Sequence, residues 1–205
     1  MITPILTIML PTTVDRRKCF YPLLESVLKQ IVDLGVQEFV EILIDEDAKQ
    51  KSIGLKRQHL LERATGIFVV GIDSDDQIAN TYINDILNAI NSTPNTDHIG
   101  FIESCSIDGE ISKSIFSIRH TQWAENTDGY DHIRCANPKS VIRRTKALQV
   151  GFEDNRFGED RIFSEKVTPL LVSEVFIDKP LYYYNYISSP HNERYGLDRQ
   201  ETDNN

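Results

Sequence analysis

Three carboxylates fall within four residues at Asp73-Ser74-Asp75-Asp76, directly after the apolar run Ile67-Phe68-Val69-Val70-Gly71-Ile72. The run is β-branched at four positions and reads as a buried strand. Two unit charges about 4 Å apart repel by roughly 4 kcal/mol at an effective dielectric of 20. Such crowding needs a cation, a helix N-terminus or bulk water to offset it. Open α/β sheets bind ligands at the carboxyl ends of their strands. The cluster therefore points to an oxygen-rich site for Mg²⁺ or Mn²⁺ beside a phosphate-bearing substrate. The plainer alternative is that Asp76 caps the next helix and water solvates the others.

Four further segments carry candidate chemistry. Lys56 and Arg57, in Gly54-Leu55-Lys56-Arg57-Gln58, either form a solvent-facing basic turn or face the strand ends and neutralise a diphosphate; an Arg fork suits that task. Asp45 either serves turn chemistry or accepts a base N–H. In Gly151 to Arg161, Glu159 and Asp160 suit the first turn of a helix through its dipole. They could equally supply a base that removes a proton from an attacking hydroxyl. His191 follows the aromatic run Tyr182-Tyr183-Tyr184-Asn185-Tyr186 and is either solvated or a late metal ligand.

These residues must be positioned by an α/β frame. Strands are expected over Ile5 to Leu10, Phe39 to Ile44 (halted by Asp45-Glu46-Asp47) and the run before Asp73. Helices are expected around Leu24 to Ile31, closed by Gly35, and over Ile53 to Thr65, Tyr82 to Ile90 and Glu159 to Val167. This alternation implies a parallel, Rossmann-like layer. Ile99 to Ser106 and Glu110 to Ile118 read as a hairpin about Asp108-Gly109. Val172 to Ile177 and Leu181 to Tyr186 read as two closing strands separated by Pro180. One mixed α/β domain is expected, with 191–205 a polar, flexible tail.

A chain of 205 residues can bury a substantial core. Its net charge of −9 argues against a broad nucleic-acid-binding surface. Three widely spaced cysteines suggest reduced thiols and a cytoplasmic setting. No apolar run approaches the ~20 residues of a membrane span, so any membrane substrate would be met peripherally, at the surface.

The order of these motifs resembles that of the family 2 glycosyltransferases with the GT-A fold: Pro11-Thr12, then Asp45, then Gly54 to Arg57, then Ala64 through Asp76, and finally Gly151-Phe152 and Phe157 to Asp160. The resemblance covers roughly residues 4 to 187. It implies a nucleotide-sugar-binding half of about 1–97 and an acceptor-side half of about 98–190. It further implies an inverting transfer from a nucleotide-sugar, a UDP-sugar by preference, to an acceptor glycan, lipid-linked sugar or protein. Pro11, Thr12 and Ser74 would belong to the donor site, Asp45 would meet the nucleobase, and Lys56 and Arg57 the diphosphate. Asp75 would hold Mn²⁺ or Mg²⁺, with Asp73 nearer the ribose and His191 completing the metal site. Asp160 would be the base and Glu159 its understudy. The sequence departs from the family pattern at Asp45-Glu46-Asp47-Ala48, at Gln58 and at Cys135 before Asn137-Pro138. Two rivals are a GT-A-like module that binds without turnover and a haloacid-dehalogenase-like phosphatase, whose nucleophilic Asp belongs on the first strand.

Overall fold

The computed structural model describes residues 3–127 and 129–186. Strand β1 (Leu6–Thr13) lies between β2 (Val40–Asp47) and β3 (Phe68–Gly71), parallel to both. Its side chains alternate between two apolar layers. Leu6, Ile8 and Leu10 pack with Phe20, Leu23, Val27 and Ile31 of helix α1 (Arg17–Leu34) and with Ile83, Ile86 and Ile90 of α3 (Tyr82–Ser92). Met9 packs on the other face with Leu60 and Leu61 of α2 (Ile53–Arg63) and with Phe163 and Val167 of α5 (Glu159–Val167). A strand covered on both faces reads as a continuous apolar run, which is why β1 and β3 were recognisable.

The remaining strands extend the sheet with mixed polarity. They are β4 (Gln77–Ile78), β5 (His98–Ile107), β6 (Glu110–Phe116), β7 (Ala124–Thr127), β8 (Tyr130–Arg134), β9 (Val141–Arg143) and β10 (Glu174–Tyr186). Among the described residues, the sheet runs β2-β1-β3-β9-β5-β6-β8-β7, with β10 beside β5 and β4. A short helix α4 (Arg144–Val150) follows β9. The mixed α/β single domain expected from the sequence is the one observed.

The hairpin about Asp108-Gly109 is present, with both residues at positive φ (52° and 88°), as a two-residue primed turn requires. Two boundaries differ from expectation. Asp45, Glu46 and Asp47 do not halt β2; they lie in it, paired in register with Pro11, Thr12 and Thr13. The two closing strands are one strand, β10, running parallel to β5 through register shifts around Pro180. Proline removes a ladder donor, and the strand absorbs this as an irregularity and continues past it. Strands β7, β8 and β9 and helix α4 were not anticipated, because they are short and carry mixed patterns. The tail 191–205 lies outside the described residues.

Candidate functional site

The acidic cluster forms a tight turn at the carboxyl end of β3. The Asp76 N–H donates to the Asp73 carbonyl at 3.1 Å. The Tyr182 hydroxyl, from β10, accepts the Asp73 N–H at 3.0 Å and donates to the Asp76 carboxylate at 2.7 Å. Helix α3 starts only at Tyr82, so Asp76 is not its cap. Burial, reinforced by the neighbouring carboxylates Asp73 and Asp75, pushes the Asp76 carboxyl well above the usual carboxylate range, against the pull of Lys139. Burial alone would raise Asp73 too, but Arg57 and Lys139 hold it below that range. Asp75 is raised by burial and has Arg16 at 3.4 Å. Ser74 is 1 % exposed, and its hydroxyl has no hydrogen-bond partner among the described residues.

Lys56 and Arg57 are not a solvent-facing turn. Both are buried. Ser52 caps α2, accepting the Leu55 N–H at 3.0 Å and donating to Asp154 at 2.5 Å. Gly54 lets that first turn press against the 153–155 backbone: its N–H donates to the Asn155 carbonyl at 3.1 Å, and a Cβ there would lie 1.9 Å from the Glu153 carbonyl oxygen. The docked helix then aims its two cations inward. Lys56 donates to the Thr12 carbonyl at 2.5 Å and pairs with Asp47, tying the ends of β1 and β2 together. Arg57 donates to Asp73 at 2.6 Å and to Glu159 at 2.5 Å. Both cations expected on a diphosphate are thus engaged by protein groups.

The same docking explains Gln58, a departure from the family pattern. Its side-chain oxygen accepts the Phe152 N–H at 2.7 Å and so holds the turn that leads to α5. Phe152 stacks on Phe163 at 4.3 Å between ring centroids, fixing the helix beneath. Glu159 is thereby turned inward to Arg57, and burial raises its carboxyl despite that guanidinium. Asp160 faces the cleft, with one oxygen accepting the Arg161 N–H at 2.8 Å.

Asp45 is buried, and Lys51 donates to its two oxygens at 2.5 and 2.8 Å, while His59 approaches at 3.5 Å. It belongs to an ion pair near the cleft wall, and the Lys51 side chain lines the cleft beside it.

These groups converge on a cleft of about 920 Å³. Pro11, Thr12, Lys56, Arg57, Asp73, Ser74, Asp75, Glu159 and Asp160 all line it, so one cavity joins the acidic turn, the end of β1 and the start of α5. The Thr12 hydroxyl, like that of Ser74, is buried there without a partner among the described residues. His191 lies outside the described residues. Sequence reasoning missed Arg16, Lys51, Glu103, Lys139 and the Trp123–Arg134 pair, in which the guanidinium sits 4.6 Å from the indole centroid. Asn137-Pro138 was visible, but nothing local marked the next residue, Lys139, as reaching the acidic turn.

Among the described residues, no group of three or more His, Cys, Asp or Glu is arranged to hold a metal. The donor set nevertheless fits Mg²⁺ or Mn²⁺ of the kind held by one or two carboxylates plus substrate phosphates and water. Asp75 offers such a carboxylate, and its chain neighbour Ser74 lines the same cleft.

The fold is that of the GT-A-like glycosyltransferase structures. No family profile and no curated protein matches the sequence. Solved structures do match. The S. aureus TarS 1–349 structure in complex with UDP-GlcNAc superposes with a TM-score of 0.63 at 16 % identity, covering 91 % of this chain and 60 % of that one. The same fragment in complex with UDP gives 0.61 at 18 % identity, with 91 % and 61 % covered. S. aureus TarS in the longer form gives 0.57 at 17 % identity, with 91 % and 37 % covered. The chain thus spans about 60 % of the length of the TarS fragment it matches. The acidic turn follows β3, whereas β1 ends in Pro11-Thr12-Thr13, not in the Asp that a haloacid-dehalogenase-like phosphatase would place there. Among the described residues, no helix is long and apolar enough to cross a membrane.

Proposed function

We propose that this chain is an inverting, divalent-metal-dependent glycosyltransferase of the family 2 type. It would move a sugar from a nucleotide-sugar, a UDP-sugar by preference, to an acceptor hydroxyl. Residues of about 1–97 would bind the donor and about 98–190 the acceptor. One observation carries this reading: Asp73, Ser74 and Asp75 at the end of β3 share a single cleft with Asp160 at the start of α5. The fold in common with a UDP-GlcNAc-bound structure supports it.

In this reading the donor's diphosphate lies over the 73–75 turn, within reach of the hydroxyls of Thr12 and Ser74. Asp73 would lie nearer the ribose and Asp45 would meet the base. A divalent cation held by Asp75 would offset charge on the departing diphosphate when bound. Lys56 and Arg57 line the cleft and are held there by protein groups. Lys56 fixes the β1 and β2 ends, and Arg57 fixes the acidic turn relative to α5, so donor and base sides keep their spacing. The acceptor oxygen attacks the anomeric carbon as the bond to the diphosphate oxygen breaks, and the Asp160 carboxylate takes the acceptor proton. Attack opposite the leaving group inverts the anomeric centre without a covalent enzyme intermediate.

The test is UDP binding by calorimetry, with and without Mn²⁺, followed by UDP release from UDP-sugars. Asp160→Asn should cut turnover by about 10²–10⁴-fold while UDP binding persists. Equal turnover by wild type and Asp160→Asn defeats the base assignment. Binding without any turnover favours a non-catalytic sugar-nucleotide module, and no UDP binding with Mn²⁺ present defeats the donor reading.

A further inference from the structure

The acidic turn contains its own cation. Lys139 stands in the turn between β8 and β9, and its ammonium lies 3.2 Å from Asp76, 3.3 Å from Glu103 and 3.8 Å from Asp73. The ring faces of Tyr182 and Tyr184 close over it at 4.9 and 4.5 Å. Its backbone is held rigidly. The Ser140 hydroxyl lies 2.7 Å from the Asn137 carbonyl oxygen and 2.7 Å from His98 Nε2, and His98 Nδ1 meets Glu174 at 2.9 Å. Ser140 and His98 are wholly buried. The buried polar chain fixes the backbone that carries Lys139, and three carboxylates and two ring faces hold the ammonium itself.

The carboxylates divide accordingly. Asp73, Asp76 and Glu103 share Lys139, and Asp73 also has Arg57. Asp75 is the one acid of the turn without a Lys139 contact within 4 Å; its partner is Arg16 at 3.4 Å, and it lines the cleft with its chain neighbour Ser74, whose hydroxyl has no partner among the described residues. A single carboxylate holds Mg²⁺ or Mn²⁺ weakly, because these ions need several further oxygens.

We infer that Lys139 is the resident counter-ion of the acidic turn: it fills the space between Asp73, Asp76 and Glu103 that a divalent ion could otherwise bridge. Metal is then admitted at Asp75 only, together with the diphosphate oxygens of a nucleotide. This rests on the donor reading above. It makes metal and nucleotide strongly coupled ligands, each binding poorly without the other.

The experiment is a Mn²⁺ titration followed by electron paramagnetic resonance, with and without UDP, on wild type, Lys139→Gln, Lys139→Met and Lys139→Arg. Circular dichroism reports folding. Met is an uncharged, apolar side chain of similar length that can lie against the two tyrosine rings, so it serves if the Gln variant does not fold. Wild type and Lys139→Arg should bind Mn²⁺ roughly 50-fold or more tightly with UDP than without. The neutral variants should gain about tenfold or more in metal-alone affinity, since Asp76 and Glu103 lose their cation and Asp73 keeps only Arg57. Wild type binding Mn²⁺ alone as tightly as with UDP overturns the inference, as does a folded neutral variant that gains nothing. If wild type binds no Mn²⁺ even with UDP, the donor reading falls and takes the nucleotide coupling with it. A gain in the neutral variants would still mark Lys139 as the counter-ion.

Discussion

Replacing Arg57 with Met removes one cation from two carboxylates at once. Its guanidinium donates to Asp73 at 2.6 Å and Glu159 at 2.5 Å, and the Arg57 and Glu159 side chains are each only 6 % exposed. Removing one partner of a buried ion pair costs about 3–5 kcal/mol, because the charge left behind has no water to replace it. Asp73 contributes the smaller share, since its side chain is 24 % exposed and Lys139 lies nearby. Glu159 contributes the larger share. Against a typical domain stability of about 5–15 kcal/mol, the variant should unfold at a much lower urea concentration with an unchanged m-value. Adding Glu159→Gln to Arg57→Met removes the stranded charge and should restore part of the loss. The coupling in that double-mutant cycle should be about 0.5–3 kcal/mol. An Arg57→Met protein within 1 kcal/mol of wild type, or one that Glu159→Gln fails to rescue, refutes the bridge as a source of stability.

Two further outcomes are expected. Gly54→Ala places a Cβ 1.9 Å from the Glu153 carbonyl oxygen, so α2 and the 153–155 backbone must separate; stability should drop by about 1–3 kcal/mol or more, and a urea midpoint equal to wild type contradicts the close docking. Glu174 is opposed by burial but held below its ordinary 4.5 by donors from His98, Ile118 and Ser117. Its folded value lies below its unfolded one, so its contribution is complete above about pH 4.5 and is lost as pH falls through the folded value. Thermal unfolding against pH should therefore show a shallower acid limb in Glu174→Gln, and an unchanged limb would remove Glu174 from the account.

The parts of this fold legible in the sequence are those with both faces covered or with strong turn chemistry. β1 is largely apolar from Leu6 to Leu10 and β3 wholly so, α5 begins where Glu159 and Asp160 suit a helix dipole, and Asp108-Gly109 can adopt positive φ cheaply. β7 and β8 were invisible because they are short and half-exposed, with no clean alternation. At the site, the type and order of the acids were readable, but their partners were not. Nothing in Gly54-Leu55-Lys56-Arg57 says that both cations turn inward; the Glu153 to Asn155 backbone, about a hundred residues later, decides that. Lys139 was hidden for the same reason, being three-dimensionally adjacent to residues far from it in the chain.

The Tyr182 hydroxyl clamps Asp76 at a sequence separation of 106 and Asp73 at one of 109. During vectorial synthesis at 5–20 residues per second, roughly 5–20 s separate emergence of the acids from emergence of their clamp. Through that interval the nascent chain carries mutually repelling carboxylates at the end of β3 with neither their phenol nor, at first, their ammonium in place. The acidic turn is therefore among the last features to mature, and a ribosome product ending short of β10 would hold most of the sheet but not the clamped form of that turn.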